Sequence, residues 1–284
     1  FFSASMWVGQ QLADGLDFWG FLGSLILGGI ILGIYTGLLG YVGAKTGLSL
    51  DLLSQRAFGE KGSYLPSAMT SFTQIGWFGV GSFVSGGTAT PNFARFAKNG
   101  KSGAITTVVA FFIGNSLMFF FGAVSSIFVG GNDIFEVMVR LNLFYLAVLV
   151  LGLNIWTTND NALYTAGLGL ANIFHQRKKP MVLLSGIIGT VASVWLYYNF
   201  CGWLNILNCT LPPVGMILVL AYFMNKEDFE TDQPKLKTID WFAVAGVILG
   251  AIVANLLHWG IASINGMVVA AVCYCVGQAV NKRK

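Results

Sequence analysis

The sequence predicts an all-α, polytopic membrane protein, and three observations predict it. Of its 284 residues, 55% are hydrophobic and only 10% are charged, against about 25% charged in soluble domains; mean hydropathy is +0.71. Apolar stretches long enough to cross a bilayer, about 20 residues at 1.5 Å each, recur along the chain. Lys and Arg gather in clusters between those stretches, as they do in cytoplasmic loops. The net charge of +4 is therefore a topology signal and gives no reason to invoke a nucleic-acid partner.

Taken in order, the spanning stretches fall at 18–44, 104–130, 142–173, 181–200, 207–224, 239–258 and 261–280. Lys45, Arg56 and Lys61 mark one basic loop, Arg95, Lys98 and Lys101 the next, then Arg177, Lys178 and Lys179, with Lys282, Arg283 and Lys284 at the end. The positive-inside rule assigns all four to the cytoplasm, which places the C-terminus there. Loops at 131–140, 201–206 and 259–262 have almost no excess of Lys or Arg and read as external, whereas 225–237 mixes both signs and falls inside by parity. No cleavable signal peptide is visible and the chain opens on Phe1, so residues are expected before it. Cys201, Cys209, Cys273 and Cys275 form no metal-ligand pattern, and neither His175 nor His258 has a second ligand near it in sequence.

The stretch 64–94 breaks this regularity. Both flanks are basic, so the chain must cross and return, yet two crossings need about 40 residues. The available length suits either a re-entrant hairpin or a chain from which an even number of helices is absent, between "GWFGVG" (76–81) and "SFVSGG" (82–87). The Gly86–Gly87 pair and Pro91 predict a broken helix, whose freed backbone groups would need substrate, ion or water partners.

Three polar constellations lie inside apolar sequence. On a helix, Asn154, Thr157, Thr158 and Asn161 of "GLNIWTTNDNALYTAG" (152–167) share one face. They offer hydroxyl and carbonyl oxygens to a hard monovalent cation; the plainer alternative is that each Thr bonds back to a carbonyl one turn earlier. Asp160, within the same run, is either a proton-coupling carboxylate or a structural acceptor, since a charge at this depth costs about 2.5–3.5 kcal/mol without partners. In "TSFTQIGWFGVG" (70–81), Gln74 and Trp77 are three apart, so an amide and an indole project into one space where a planar heterocycle could stack. In "GSFVSGGTATPNFARF" (81–96), Phe83 and Ser85 precede the helix break and offer a second aromatic and a hydroxyl.

Further segments, "FFSASMW" (1–7), "LGIYTGLLGYVGAKTGLS" (32–49), "GNSLMFFFGA" (114–123), "GIIGTV" (186–191) and "PPVGMILVLAYFMN" (212–225), join the motifs above in a resemblance to the nucleobase cation symporter family one. It runs over essentially the whole chain, and "GLNIWTTNDNA" (152–162) is its most specific part. The resemblance implies a LeuT-like fold of two inverted five-helix repeats, with twelve helices in the family and about ten represented here. Residues 1–284 would form a single transporter domain, with the N-terminal half of helix one missing before residue 1. Helices four and five would be missing between about 81 and 82.

It further implies a bacterial cytoplasmic (inner) membrane protein that imports cytosine with Na+ by alternating access. Trp77 and Phe83 would sandwich the base, Gln74, Ser85 and Asn159 would read its edge, and Asn154 would lie nearby. Na+ would be held by carbonyls of Phe2, Ser5 and Asn154 and by the hydroxyls of Thr157 and Thr158. Apart from cytosine and the lipid bilayer, no obligatory protein partner is evident. Proton coupling, or another ring such as uracil, a purine, allantoin or a hydantoin, is the alternative. An enzyme would need paired acids, a metal triad or a nucleophile with its base, whereas Asp160 is the only candidate acid within a span; a channel would repeat one polar ring, and these motifs are unlike one another.

Overall fold

The computed structural model describes the chain except residues 1–5, 7, 8, 11, 13, 14, 81–85, 132, 133, 232, 233, 235, 258 and 282–284, together with the side chains of 77–80, 86, 87, 155, 157, 197, 200 and 201. The described residues form α1 (Phe18–Thr46), α2 (Leu50–Phe58), α3 (Tyr64–Val80), α4 (Gly86–Ala89), α5 (Pro91–Ala94), α6 (Gly100–Val129) and α7 (Ile134–Arg140). They continue with α8 (Phe144–Phe174), α9 (Lys178–Tyr198), α10 (Phe200–Met224), α11 (Lys226–Glu230), α12 (Trp241–Leu256) and α13 (Ala262–Asn281).

Local chemistry sets the ends of these helices. Asp17 caps α1 by accepting from the Gly20 N–H, Ser49 caps α2 through Leu52, and Asn99 caps α6 through Ser102. Gly47, at φ +69°, ends α1 and returns its N–H to the Gly43 carbonyl. The broken stretch after α3 appears as two single turns, α4 and α5, separated at Thr90 and restarted by Pro91.

Two loops expected between the spans contain helix. The one at 131–140 carries α7 (Ile134–Arg140). The external loop at 201–206 is helical: α9 and α10 meet at Asn199, whose backbone leaves the helical region for one residue (φ −108°, ψ 21°). An apolar chain in lipid gains by making the turn this short, because every additional loop residue exposes unsatisfied backbone. Within α6, Val109–Gly114 is a π-helical segment that the apolar pattern does not reveal.

The helices sort into two packing groups. In the first, α1 packs on α4, α5 and α6; in the second, α3 packs on α8 and α9. α10 touches both α1 and α3, and the α12–α13 pair rests on α10. Small residues make the first group tight: a Cβ on Gly40 would fall 2.4 Å from Thr107 Oγ1, and one on Gly43 would fall 2.7 Å from the Pro91 Cα. The tyrosine hydroxyl of Tyr35 on α1 meets Thr88 Oγ1 on α4 at 2.8 Å.

The basic loops come together at one end of the bundle. Arg56 donates to the Asp228 carbonyl, Lys45 pairs with Glu230, and the N–H groups of Glu60 and Lys61 bond to the carbonyls of Lys237 and Thr238. Outer faces are apolar, with Val191 79% and Trp195 62% exposed one turn apart on α9. In water such a stripe would be unstable; in lipid it is the expected surface. Five of the described helices are long and apolar enough to cross a membrane.

Candidate substrate and ion site

α3 and α8 pack along each other, with the Ser71 hydroxyl donating to the Ala166 carbonyl, so the helices that carry the two main polar runs of the sequence are neighbours. Gln74 is buried at 7% exposure on α3. Trp77 follows one turn later on the same helix, while Gly76 is pressed on the Trp203 ring of α10. The side chain of Trp77, and Phe83 and Ser85 altogether, lie outside the described residues. So do Phe2, Ser5 and the side chain of Thr157.

On α8, Asn154, Thr158 and Asn159 are half-buried. The Thr158 hydroxyl donates to the Asn154 carbonyl at 2.8 Å, so the back-bonded arrangement is the one present. The same contact sets two oxygens side by side within one turn. Rotating the hydroxyl proton away would free lone pairs on both oxygens, the kind of hard donors a monovalent cation takes. Asn159 Oδ1 is buried and, among the described residues, has no donor. An orphaned acceptor of this kind costs about 1–3 kcal/mol, which a ring N–H or amino group would offset. Asp160 and Asn161 are exposed, and among the described residues no hydrogen bond or ion pair engages the Asp160 carboxylate.

Two features escape the motif reading. Gln10 is 1% exposed, with neither amide atom bonded among the described residues. Near it in sequence, the backbones of Met6 and Gly9 press on Gly122 and Phe119 of α6. An amide pair, Gln10–Gln11, inside otherwise apolar sequence is the signal that could have found it.

The second feature is a cluster around Tyr164 at the basic end of α8. Arg95 Nη2 donates to the Tyr164 hydroxyl at 2.5 Å, Lys178 Nζ lies 3.5 Å from its ring centroid, and the Phe93 ring is 6.2 Å away. Charge-assisted hydrogen bonds contribute about 1.5–3 kcal/mol and cation–π contacts about 0.5–2 kcal/mol. Beside it, Gln55 Nε2 donates to Asn172 Oδ1, Asn172 Nδ2 donates to both Ser63 and Ser67, and Ser67 Oγ donates to Asp51 Oδ1 at 2.6 Å. Asp51 is 6% exposed. Burial pushes its carboxyl up to about 6, against smaller lowering effects from Ser67, its own backbone and the Arg95 charge.

Among the described residues, an all-helical bundle with a broken segment and polar residues on its long helices is the architecture that membrane transporters use. A family profile described as permease for cytosine/purines, uracil, thiamine, allantoin matches residues 1–89 and 79–280. A cytosine permease of Escherichia coli strain K12 is 36% identical over 377 residues, spanning 100% of this chain and 89% of that one. An allantoin permease of Bacillus subtilis strain 168 is 34% identical over 82 residues, 29% of this chain and 16% of its own. Among solved structures, Mhp1, a nucleobase-cation-symport-1 family transporter in a closed conformation with bromovinylhydantoin bound, superposes with a TM-score of 0.77 at 15% identity, covering 97% of this chain and 88% of that one.

The chain belongs to the family of permeases for cytosine/purines, uracil, thiamine and allantoin. It is a multi-pass membrane transporter with the LeuT-like fold, and not an enzyme.

The Asp51 environment predicts a pH dependence. With the folded-state pKa raised from 3.8 to about 6, the folded protein binds more protons than the unfolded chain in this interval, so stability falls as pH rises through it. The loss is on the order of 3 kcal/mol, complete above pH ~6. Asp51→Asn keeps an acceptor for Ser67 and should flatten the slope, as measured by the melting temperature of detergent-purified protein between pH 4 and pH 7. Equal slopes in parent and variant would show that Asp51 does not carry the effect.

Proposed function

We propose that this transporter imports cytosine across the bacterial inner membrane together with Na+, by alternating access, with the basic end of the bundle and the C-terminus in the cytoplasm. The observation that carries the reading is the full-length 36% identity to a cytosine permease, joined to the polar interface of α3 and α8. In this reading the base stacks between Trp77 and Phe83, and Gln74, Ser85 and Asn159 bond its edge, with Asn154 close by. Cytosine is neutral, so amides and hydroxyls suffice and no counter-charge is needed. Na+ is the co-transported ion, taken by carbonyls of Phe2, Ser5 and Asn154 and the hydroxyls of Thr157 and Thr158. Its binding would hold the broken first helix against α8, and coupling follows if one access state binds both solutes better than the other.

The wider scope of the family profile, which includes purines, uracil, thiamine and allantoin, supports a second reading in which another ring is the substrate. The Asp160 carboxylate, which no hydrogen bond or ion pair engages among the described residues, supports coupling to protons.

The same proposal extends to the architecture. The match to the cytosine permease runs over 377 residues, more than the 284 of this chain. The family profile also matches in two pieces that meet near residues 79–89. Both support two further helices between 81 and 82, and such helices would give the exposed Asp160 its missing neighbours. Tryptic mapping of the protein purified from its native source tests this: the peptide from Gly62 to Arg95 exists only if Gly81 and Ser82 are adjacent, and its detection would overturn the proposal.

Uptake of labelled cytosine into vesicles should be concentrative and should cease when the Na+ gradient is collapsed; uptake driven instead by an imposed pH gradient would shift the assignment to Asp160. Thr158→Ala should raise the Na+ concentration giving half-maximal cytosine binding, and an unchanged Na+ dependence would remove Thr158 from the ion site.

Trp77→Ala should weaken cytosine binding by roughly 5- to 150-fold, from about 1–3 kcal/mol per stacked base. Trp77→Phe keeps a π face and should lose much less. Equilibrium binding at saturating Na+ reads both, and parental affinity in Trp77→Ala would move the base elsewhere.

A further inference from the structure

Polar side chains join the two packing groups at the basic end in two places: through α2, whose Leu50 N–H donates to Asn92 beside α1 and whose Asp51 and Gln55 bond to Ser67 and Asn172, and directly through Arg95 and Tyr164, where a transported solute would have to leave. Arg95 directly follows α5, which packs on α1, whereas Tyr164 belongs to α8, which packs on α3 and α9. The hydrogen bond from Arg95 Nη2 to the Tyr164 hydroxyl therefore joins the groups. Phe93, from the α5 side, reinforces it by lying against the same ring.

Position along α8 gives this contact its meaning. Tyr164 is ten residues beyond Asn154, about 15 Å toward the basic end at 1.5 Å per residue, and it shares a helix face with Asn161. Thr165, its neighbour, continues the face of Asn154 and Thr158. It is 2% exposed, and among the described residues its hydroxyl has no partner. A solute at Asn154–Asn159 that leaves toward the basic end passes this level.

The electrostatics suit a contact that opens. Two cations, Arg95 and Lys178, converge on one tyrosine. Their mutual repulsion opposes closure, and the acid whose charge acts on Arg95 is Asp51, held by Ser67. A clasp whose attraction to one phenol is offset by like-charge repulsion can separate without leaving a buried, unpaired ion pair behind. Two fully opposed charges would not release so readily.

We propose that Arg95 and Tyr164 form the clasp that closes the cytoplasmic exit of the site and must part for cytosine to leave. The proposal rests on the transport reading above, and its test separates the two.

With Cys201, Cys209, Cys273 and Cys275 replaced by Ser, Thr165→Cys provides a reporter thiol, titrated with a membrane-impermeant maleimide from the cytoplasmic side of inside-out vesicles. It should react slowly when the clasp is intact. Tyr164→Phe, which keeps the ring for Lys178 and Phe93 but removes the acceptor, and Arg95→Gln should each speed labelling by about fivefold or more. Arg95→Lys, which can still donate to the phenol, should stay within about twofold of the parent. The proposal is overturned if Tyr164→Phe and Arg95→Gln label at the parental rate while purifying as monodisperse protein. Should Tyr164→Phe fail to purify, Arg95→Gln decides alone. If the parent accumulates no cytosine under a Na+ gradient but the labelling contrast persists, the transport reading fails and the clasp stands.

Discussion

In a bilayer no water is available to complete a hydrogen bond, so each polar group must find its partner within the protein or be kept for a ligand. That constraint organises the molecule. It makes the described backbone helical, shortens the α9–α10 connection to one residue, and turns Thr36, Thr46, Thr70, Thr73, Thr107 and Thr158 back on carbonyls one turn earlier. Against this background the exceptions stand out. Asn159 Oδ1, the amide of Gln10 and the Thr165 hydroxyl are among the side-chain groups buried without partners among the described residues.

Small residues decide where the bundle can divide. Gly40 and Gly103 bring α1 and α6 close enough that a side chain at either would collide with the facing helix, fixing that group as one body. α3 and α8 are closed differently, by Gly169 seated on Ser67 and Ser71 and by the Ser71 hydroxyl donating to the Ala166 carbonyl. Dispersion and short hydrogen bonds hold each group internally, whereas at the basic end they are connected directly by a hydrogen bond and a ring contact at Tyr164 and indirectly through the polar side chains of α2. A transporter needs this inequality, because access can alternate only where contacts between bodies are weaker than contacts within them.

Much of this was legible in the sequence. Apolar runs of bilayer length anticipate α1, α6, α8, α12 and α13 nearly to their ends, because composition alone dictates a lipid-spanning helix. The basic clusters anticipate which loops meet, since Lys45, Arg56, Arg95 and Lys178 do gather at one end. The turn at Asn199 was not legible, because a single residue leaving helical geometry carries no compositional mark. Neither was the Arg95–Tyr164 contact. Arg95 reads as a topology signal and Tyr164 as the tail of a polar run, and only the tertiary fold brings residues 69 apart together.

The acid-poor character of the α3–α8 interface bears on what such a site can carry. A carboxylate aimed into it would need a permanent cation or a bound proton at every stage of the cycle, because an unpaired charge at this depth is disfavoured by about 2.5–3.5 kcal/mol. Amides and hydroxyls meet a weaker penalty when a solute departs, and hydroxyl rotation can remove most of it, as the Thr158 bond to the Asn154 carbonyl illustrates. A site that must be filled and emptied repeatedly is therefore better built from neutral dipoles than from charges. In the proposed clasp, the charges that do occur at the basic end, Arg95, Lys178 and Asp51, would act on the passage rather than on the solute.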